Sequence, residues 1–167
     1  MNNLFSVCQS SLLLILFCAT RLVCAQDLAG QQHWVGSWAA ALQIPEPGNA
    51  LPAGTAQDVT LREIVHLSAG GASVRIRLSN AFGTEPLRFS AVHIAHATSS
   101  AAPQIDPASD RALSFAHQAE VIVPAGADYL SDPISYPVAP LSDLAISFHL
   151  DKLPAQQTGH PGSRATS

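Results

Sequence analysis

From Ser73 to Ser79 the chain alternates without a break: Val74, Ile76 and Leu78 are apolar, and Ser73, Arg75, Arg77 and Ser79 are polar. A period of two sends the two sets to opposite faces of an extended strand, which an amphipathic helix cannot do. The same period governs Leu144 to Leu150, where Leu144, Ile146, Phe148 and Leu150 oppose Ala145, Ser147 and His149. Val59 to Leu67 is β-branched and half alternating, and it closes on the turn residues Ser68-Ala69-Gly70-Gly71. Leu87 to Ala95 begins with Leu87, Phe89 and Ala91 and then switches to Val92 and Ile94, the mark of a bulge that shifts the facing. Val59 to Leu67, Ser73 to Ser79 and Leu87 to Ala95, joined by short turns, are expected to form an antiparallel meander. Leu113 to Ala116 and Glu120 to Val123 flank His117-Gln118 as a further hairpin. Twelve prolines and ten glycines punctuate the chain, and no later segment sustains a helical period. The predicted fold is all-β, an antiparallel β-sandwich of jelly-roll type. Ile44 to Thr55 and Thr98 to Asp110 are expected as loops on its surface.

The N-terminus reads as an export signal. Leu12 to Phe17 is an unbroken apolar run, too short for a membrane span of about 20 residues. Val23-Cys24-Ala25 before Gln26 places small groups at a signal-peptidase site. A secreted or periplasmic location follows, with residues 1–25 removed. Arg21-Leu22-Val23 is a poor approach to a lipidated Cys24, and no later run is apolar enough to anchor the chain. Cys8, Cys18 and Cys24, the three cysteines of the chain, all fall in this signal. The mature domain is therefore expected to lack disulfides, thiolate metal sites and a cysteine nucleophile. Without Arg21 it carries seven basic residues against twelve acidic ones. That balance argues against nucleic acid and against an anionic membrane as partners. The sandwich is expected over residues 26–152. Residues 153–167 have no periodicity and read as the start of a linker.

Nucleophilic hydrolysis requires a serine on a tight turn, a histidine base and a group that orients it. Val35-Gly36-Ser37-Trp38-Ala39 lacks the second glycine of a nucleophile elbow, so Ser37 reads as a structural hydroxyl. His93 and His96, three apart on a strand, face opposite ways and have no carboxylate at a matching spacing, so no metal site is assigned. Trp34 and Trp38, four apart, would share a face of an extended segment. Exposed, they would offer a platform for sugar rings; buried, they would anchor the core, which is the expected place for large aromatics.

Taken together, three groups of residues resemble a known family. They are His33-Trp34-Val35-Gly36-Ser37-Trp38-Ala39-Ala40, Leu61-Arg62-Glu63-Ile64-Val65-His66, and the run from Val74 through Asn80-Ala81-Phe82-Gly83-Thr84-Glu85-Pro86 to Leu87. Asp110 to Phe115, Ser131-Asp132-Pro133 and Leu141 to Ser147 continue the pattern in the same order. The whole is similar to the N-terminal region of secreted bacterial SGNH (GDSL-type) ester hydrolases. In that family a β-rich domain precedes a flavodoxin-like catalytic domain, whose Gly-Asp-Ser, Gly, Asn and Asp-x-x-His blocks supply nucleophile, oxyanion donors and base. The Gly-Asp-Ser, Gly-x-Asn-Asp and Asp-x-x-His blocks are absent from this sequence. The resemblance therefore implies a non-catalytic accessory domain of a carbohydrate- or lipid-ester hydrolase, without a cofactor. Its partner would be a C-terminal catalytic domain of the same polypeptide that this chain lacks. A free-standing carbohydrate-binding module is the alternative reading, and a self-sufficient small hydrolase a third. Trp34, Trp38, Asn80 and Phe82 are the candidates for ligand or interdomain contact, with Phe82 expected to be solvent-exposed at its turn.

Overall fold

The computed structural model describes residues 33–51 and 57–160. The expected export signal at 1–25, and the part of the expected linker beyond residue 160, lie outside the described residues. The chain divides into two compact units, Met1–Val35 and Gly36–Ser167. The account below concerns the second.

No α-helix occurs among the described residues. Ten strands do: β1 (Gln57–His66), β2 (Gly71–Val74), β3 (Arg77–Ser79), β4 (Leu87–Phe89), β5 (Ala91–His96), β6 (Arg111–Ala112), β7 (Val121–Val123), β8 (Asp128–Leu130), β9 (Ile134–Val138) and β10 (Asp143–Lys152). A single 3-10 turn, Pro107–Ser109, is capped by the Asp106 carboxylate. Every ladder is antiparallel, and the pairing is nested: β1 with β10, β2 with β9, β3 with β8, β4 with β7. First with last and so inward is the wiring of one long hairpin folded over on itself, the jelly-roll arrangement. β5 then adds to the free side of β10 and β6 to β5, completing a four-stranded sheet in the order β1-β10-β5-β6.

The expected meander is not formed. β1 pairs along its length with β10, from Gln57 opposite Lys152 to His66 opposite Asp143, and β2 pairs with β9 instead of β1. The glycine-rich turn between β1 and β2 carries the chain to a different ladder rather than back along β1. Gly70 passes so close to the segment after β9 that a Cβ there would lie 2.6 Å from the Val138 carbonyl oxygen. A side chain could not be accommodated without moving backbone.

Strand facing follows the alternation. Leu144, Ile146 and Leu150 are buried with Val92, Ile94, Phe89, Leu113, Phe115, Val123 and Tyr136, and Phe148 packs against them. Leu78 is in the same core, with Val74 and Ile76 packed against it. The run from Ser73 is nevertheless split into β2 and β3. At the break the buried Ser131 takes over, its hydroxyl accepting from Ile76 N–H at 2.9 Å and its own N–H reaching Ile76 O at 2.8 Å. The facing switch in Leu87 to Ala95 also occurs, at Ser90. There the chain leaves its ladder with β7 and joins β10, the Ser90 N–H donating to His149 O. The change of partner produces the shift.

The hairpin expected between Leu113–Ala116 and Glu120–Val123 is not formed, because Val121–Val123 pairs with β4. What remains around His117 is a two-residue turn closed by reciprocal backbone bonds between Phe115 and Gln118. Ala116 and His117 both take the left-handed backbone, at φ 50° and 65°, an unfavourable region for residues with a Cβ. Asp132 holds them there: its carboxylate accepts from the Ala116 N–H, the His117 N–H and the Ser114 hydroxyl. The Ser114 hydroxyl, followed by the His117 N–H, keeps the Asp132 carboxyl below the ordinary carboxylate range. A lowered folded pKa means stability that is full above the unfolded value and lost as the pH falls through the folded one. Asp132→Asn is therefore expected to lower the thermal midpoint at about pH 6 and to converge on the parent by about pH 2. Melts at the two pH values check this, and an equal difference at both would contradict it.

The packed body continues past β10. Leu153 and Pro154 are buried, Gln157 exchanges hydrogen bonds with the backbone of Leu51, and Gly159 pairs with Gln43. Residues 153–160 thus form a strap on the sandwich rather than a linker, so the boundary expected at Lys152 falls inside the folded unit. Leu153 supplies the apolar contact that anchors it.

Candidate functional site

Asn80 is a structural lock, not a contact residue. It is 1% exposed, and its Nδ2 donates to the carbonyls of Glu85, Val123 and Pro124 at 2.9, 3.1 and 3.2 Å. Its own carbonyl accepts from Gly83 and Gly126. A Cβ at Gly83 would meet Asn80 Oδ1 at 1.8 Å, so the Asn80–Gly83 turn closes only around glycine. The buried amide and the tight turn explain each other. Phe82, at the crest of that turn, is 38% exposed.

The strap runs along this turn. Phe82 N–H donates to Thr158 Oγ1 at 2.9 Å and Gln156 Nε2 donates to Phe82 O, while Lys152 pairs with Glu85. Further on, His160 lies edge-on to Trp38, with ring centroids 5.6 Å apart. Trp38 is 42% exposed and lies outside the core, contrary to the expectation for it. The reason is its position on a surface segment, residues 36–42, that belongs to no strand. That segment is pinned by Ser37, whose Oγ donates to Ala69 O at 2.7 Å and accepts from Ala69 N–H. Ser37 is the structural hydroxyl expected of it. Trp34 also lies outside the core and belongs to the first unit, so it is described separately from Trp38.

A polar site that the sequence reading did not assemble lies on the outer face of the four-stranded sheet. Residues opposite one another in antiparallel strands share a face. The register therefore sets Thr60, His149 and Ala91 in one row, and Arg62, Ser147 and His93 in the next. Ala91 is the small member, and the gap above it is an open hollow of about 370 Å³, walled on one side by Ile105 and Asp110 of the loop before β6. His93 and His96 do face opposite ways: His96 stacks on Tyr136, whereas His93 Nδ1 lies 3.0 Å from Asp110 Oδ2. The carboxylate partner judged missing is thus Asp110, supplied by that loop.

Two linkages fix the hollow. Thr60 Oγ1 is 3.0 Å from His149 Nδ1, and His149 Nε2 is 3.0 Å from Asp58 Oδ1, giving a hydroxyl–imidazole–carboxylate row. Arg62 Nε donates to Ser147 Oγ at 2.8 Å and its Nη1 to Pro103 O. The first linkage has the connectivity of a catalytic triad, but Thr60 sits in mid-strand, far from the tight turn that would aim paired backbone N–H groups at an oxyanion. Among the described residues no group of three metal-ligating side chains converges, and no helix is long and apolar enough to cross a membrane. No family model matches the chain, and no curated protein does.

Proposed function

We infer that this chain is the non-catalytic β-sandwich of a secreted ester hydrolase of the SGNH type, docked in the complete enzyme against the catalytic domain of the same polypeptide. The observation that carries this reading is the path of the strap. It leaves β10, passes Phe82 and brings His160 against Trp38, so it packs beside two exposed aromatic residues. The ordered resemblance of the sequence blocks supports the same assignment. Substrate choice would then reside in the partner domain. The partial exposure of Trp38 favours a second role, contact with carbohydrate at the same rim.

The purified mature chain is expected to leave short-chain aryl esters uncleaved above the buffer blank, because a hydroxyl–histidine row without oxyanion donors lacks the largest electrostatic contribution to acyl transfer. Fusion in frame to an SGNH catalytic domain should give an active enzyme whose domains melt together, and Phe82→Ser should separate the two transitions. Saturable hydrolysis by the chain alone, abolished by Thr60→Val, would overturn the assignment.

A further inference from the structure

Arg62 is the cation that lines the hollow. It is half-buried, and both linkages that hold it go to neutral oxygens, Ser147 Oγ and Pro103 O. No carboxylate of the described residues lies within ion-pair distance of its guanidinium. Arg77 and Arg88, by contrast, have acidic partners. A guanidinium carries five N–H donors in a rigid fork, and two of the five are used here. The remainder belong to a positive charge fixed at the hollow and not neutralised by the protein. Fixed, preorganised arginine suits a planar carboxylate.

The rest of the lining narrows the ligand. Thr60, Ser147 and His93 offer hydroxyl and imidazole groups around a floor made apolar by Ala91, while His149 has both ring nitrogens engaged by Thr60 and Asp58. Asp110, tied to His93, places one negative charge on the wall. A dianion such as phosphate would be repelled there more strongly than a single carboxylate. A single carboxylate attached to several hydroxyls, with an aliphatic face to lie over the alanine, matches every feature. The size agrees as well, since small-molecule sites begin at about 300 Å³.

We propose that the outer face of the four-stranded sheet binds an acidic sugar, a hexuronate, with its carboxylate on Arg62 and its ring hydroxyls on the flanking Thr60, Ser147 and His93–Asp110. This goes beyond the accessory-domain reading and does not depend on it. Binding is read in the isolated chain whether or not that chain is an esterase, so one can fail without the other.

The test is a heteronuclear NMR titration of the mature chain with galacturonate and a galacturonate trimer, against galactose and inorganic phosphate as comparison ligands. The uronate should bind saturably with a Kd of about 1 mM or tighter for the trimer, perturbing amides around Thr60, Arg62, His93 and Ser147. Galactose should bind at least about tenfold more weakly, and Arg62→Gln should cost the uronate at least about tenfold while leaving galactose unchanged. Arg111→Gln, a change at an arginine held by backbone carbonyls outside the hollow, should have no effect. If Arg62→Gln does not fold, Thr60→Val at the rim replaces it and should weaken the uronate and galactose alike. Equal affinity for uronate and galactose, tighter phosphate than uronate, perturbations mapped elsewhere, or no saturation would each overturn the proposal.

Discussion

Replacing Asn80 by Asp is expected to cost the fold at least about 3 kcal/mol, although the two side chains have the same shape. The Asn80 amide is enclosed, and the three groups it faces are all carbonyl oxygens, so its NH2 end is assigned without ambiguity. A carboxylate in the same place would present oxygen to oxygen three times in a site closed to water. The deficit should narrow in acid, where the protonated carboxyl regains one donor. Denaturant melts at neutral and acid pH measure both effects. A loss below about 0.5 kcal/mol at neutral pH, as for surface sites, would mean that the amide points outward and would reopen a ligand role for Asn80. The consequence extends to function, because the same turn lifts Phe82 to the surface where the strap crosses it.

What the sequence disclosed, and what it did not, divides along one physical line. Facing is a local property with period two, so the inward set Leu144, Ile146, Phe148 and Leu150 and the opposite set Ala145, Ser147 and His149 could be read from seven residues, although Ala145 is itself covered. Pairing is not local. Thr60 meets His149 across 89 residues and Arg62 meets Ser147 across 85, and nothing in either strand names its partner. The polar hollow was therefore invisible, though two of the residues that line it, Ser147 and His149, were already assigned to the right face. The same limit explains the failed meander. Gly70-Gly71 signals a tight passage equally well whether the chain turns back on itself or crosses to another ladder. Trp38 illustrates a different limit: apolar bulk favours burial, but the core is filled by Phe89, Phe115, Leu113 and their neighbours, and a segment pinned through Ser37 to the Ala69 turn stays outside it.

Neighbouring residues on β5 should behave in opposite ways, and this separates the core from the proposed site. Ile94→Ala is expected to destabilise by about 2–5 kcal/mol, since the side chain is almost wholly enclosed and its removal leaves a cavity. Ile94 faces Ile146 across the ladder to β10, so the cavity opens in the centre of the sandwich and not at an edge that could collapse. His93→Ala, one residue earlier, removes a partly exposed ring from the other face and should shift stability by no more than about 0.5 kcal/mol. Its effect should appear instead in the hollow, where Asp110 loses the partner that holds it in place and the ligand loses a ring that would meet its hydroxyls. Uronate binding should therefore fall while the melt is preserved. Paired denaturant melts and titrations of the two variants provide the readout. Comparable losses of stability from both would show that the sheet is covered on its outer face, and the hollow would not be a site.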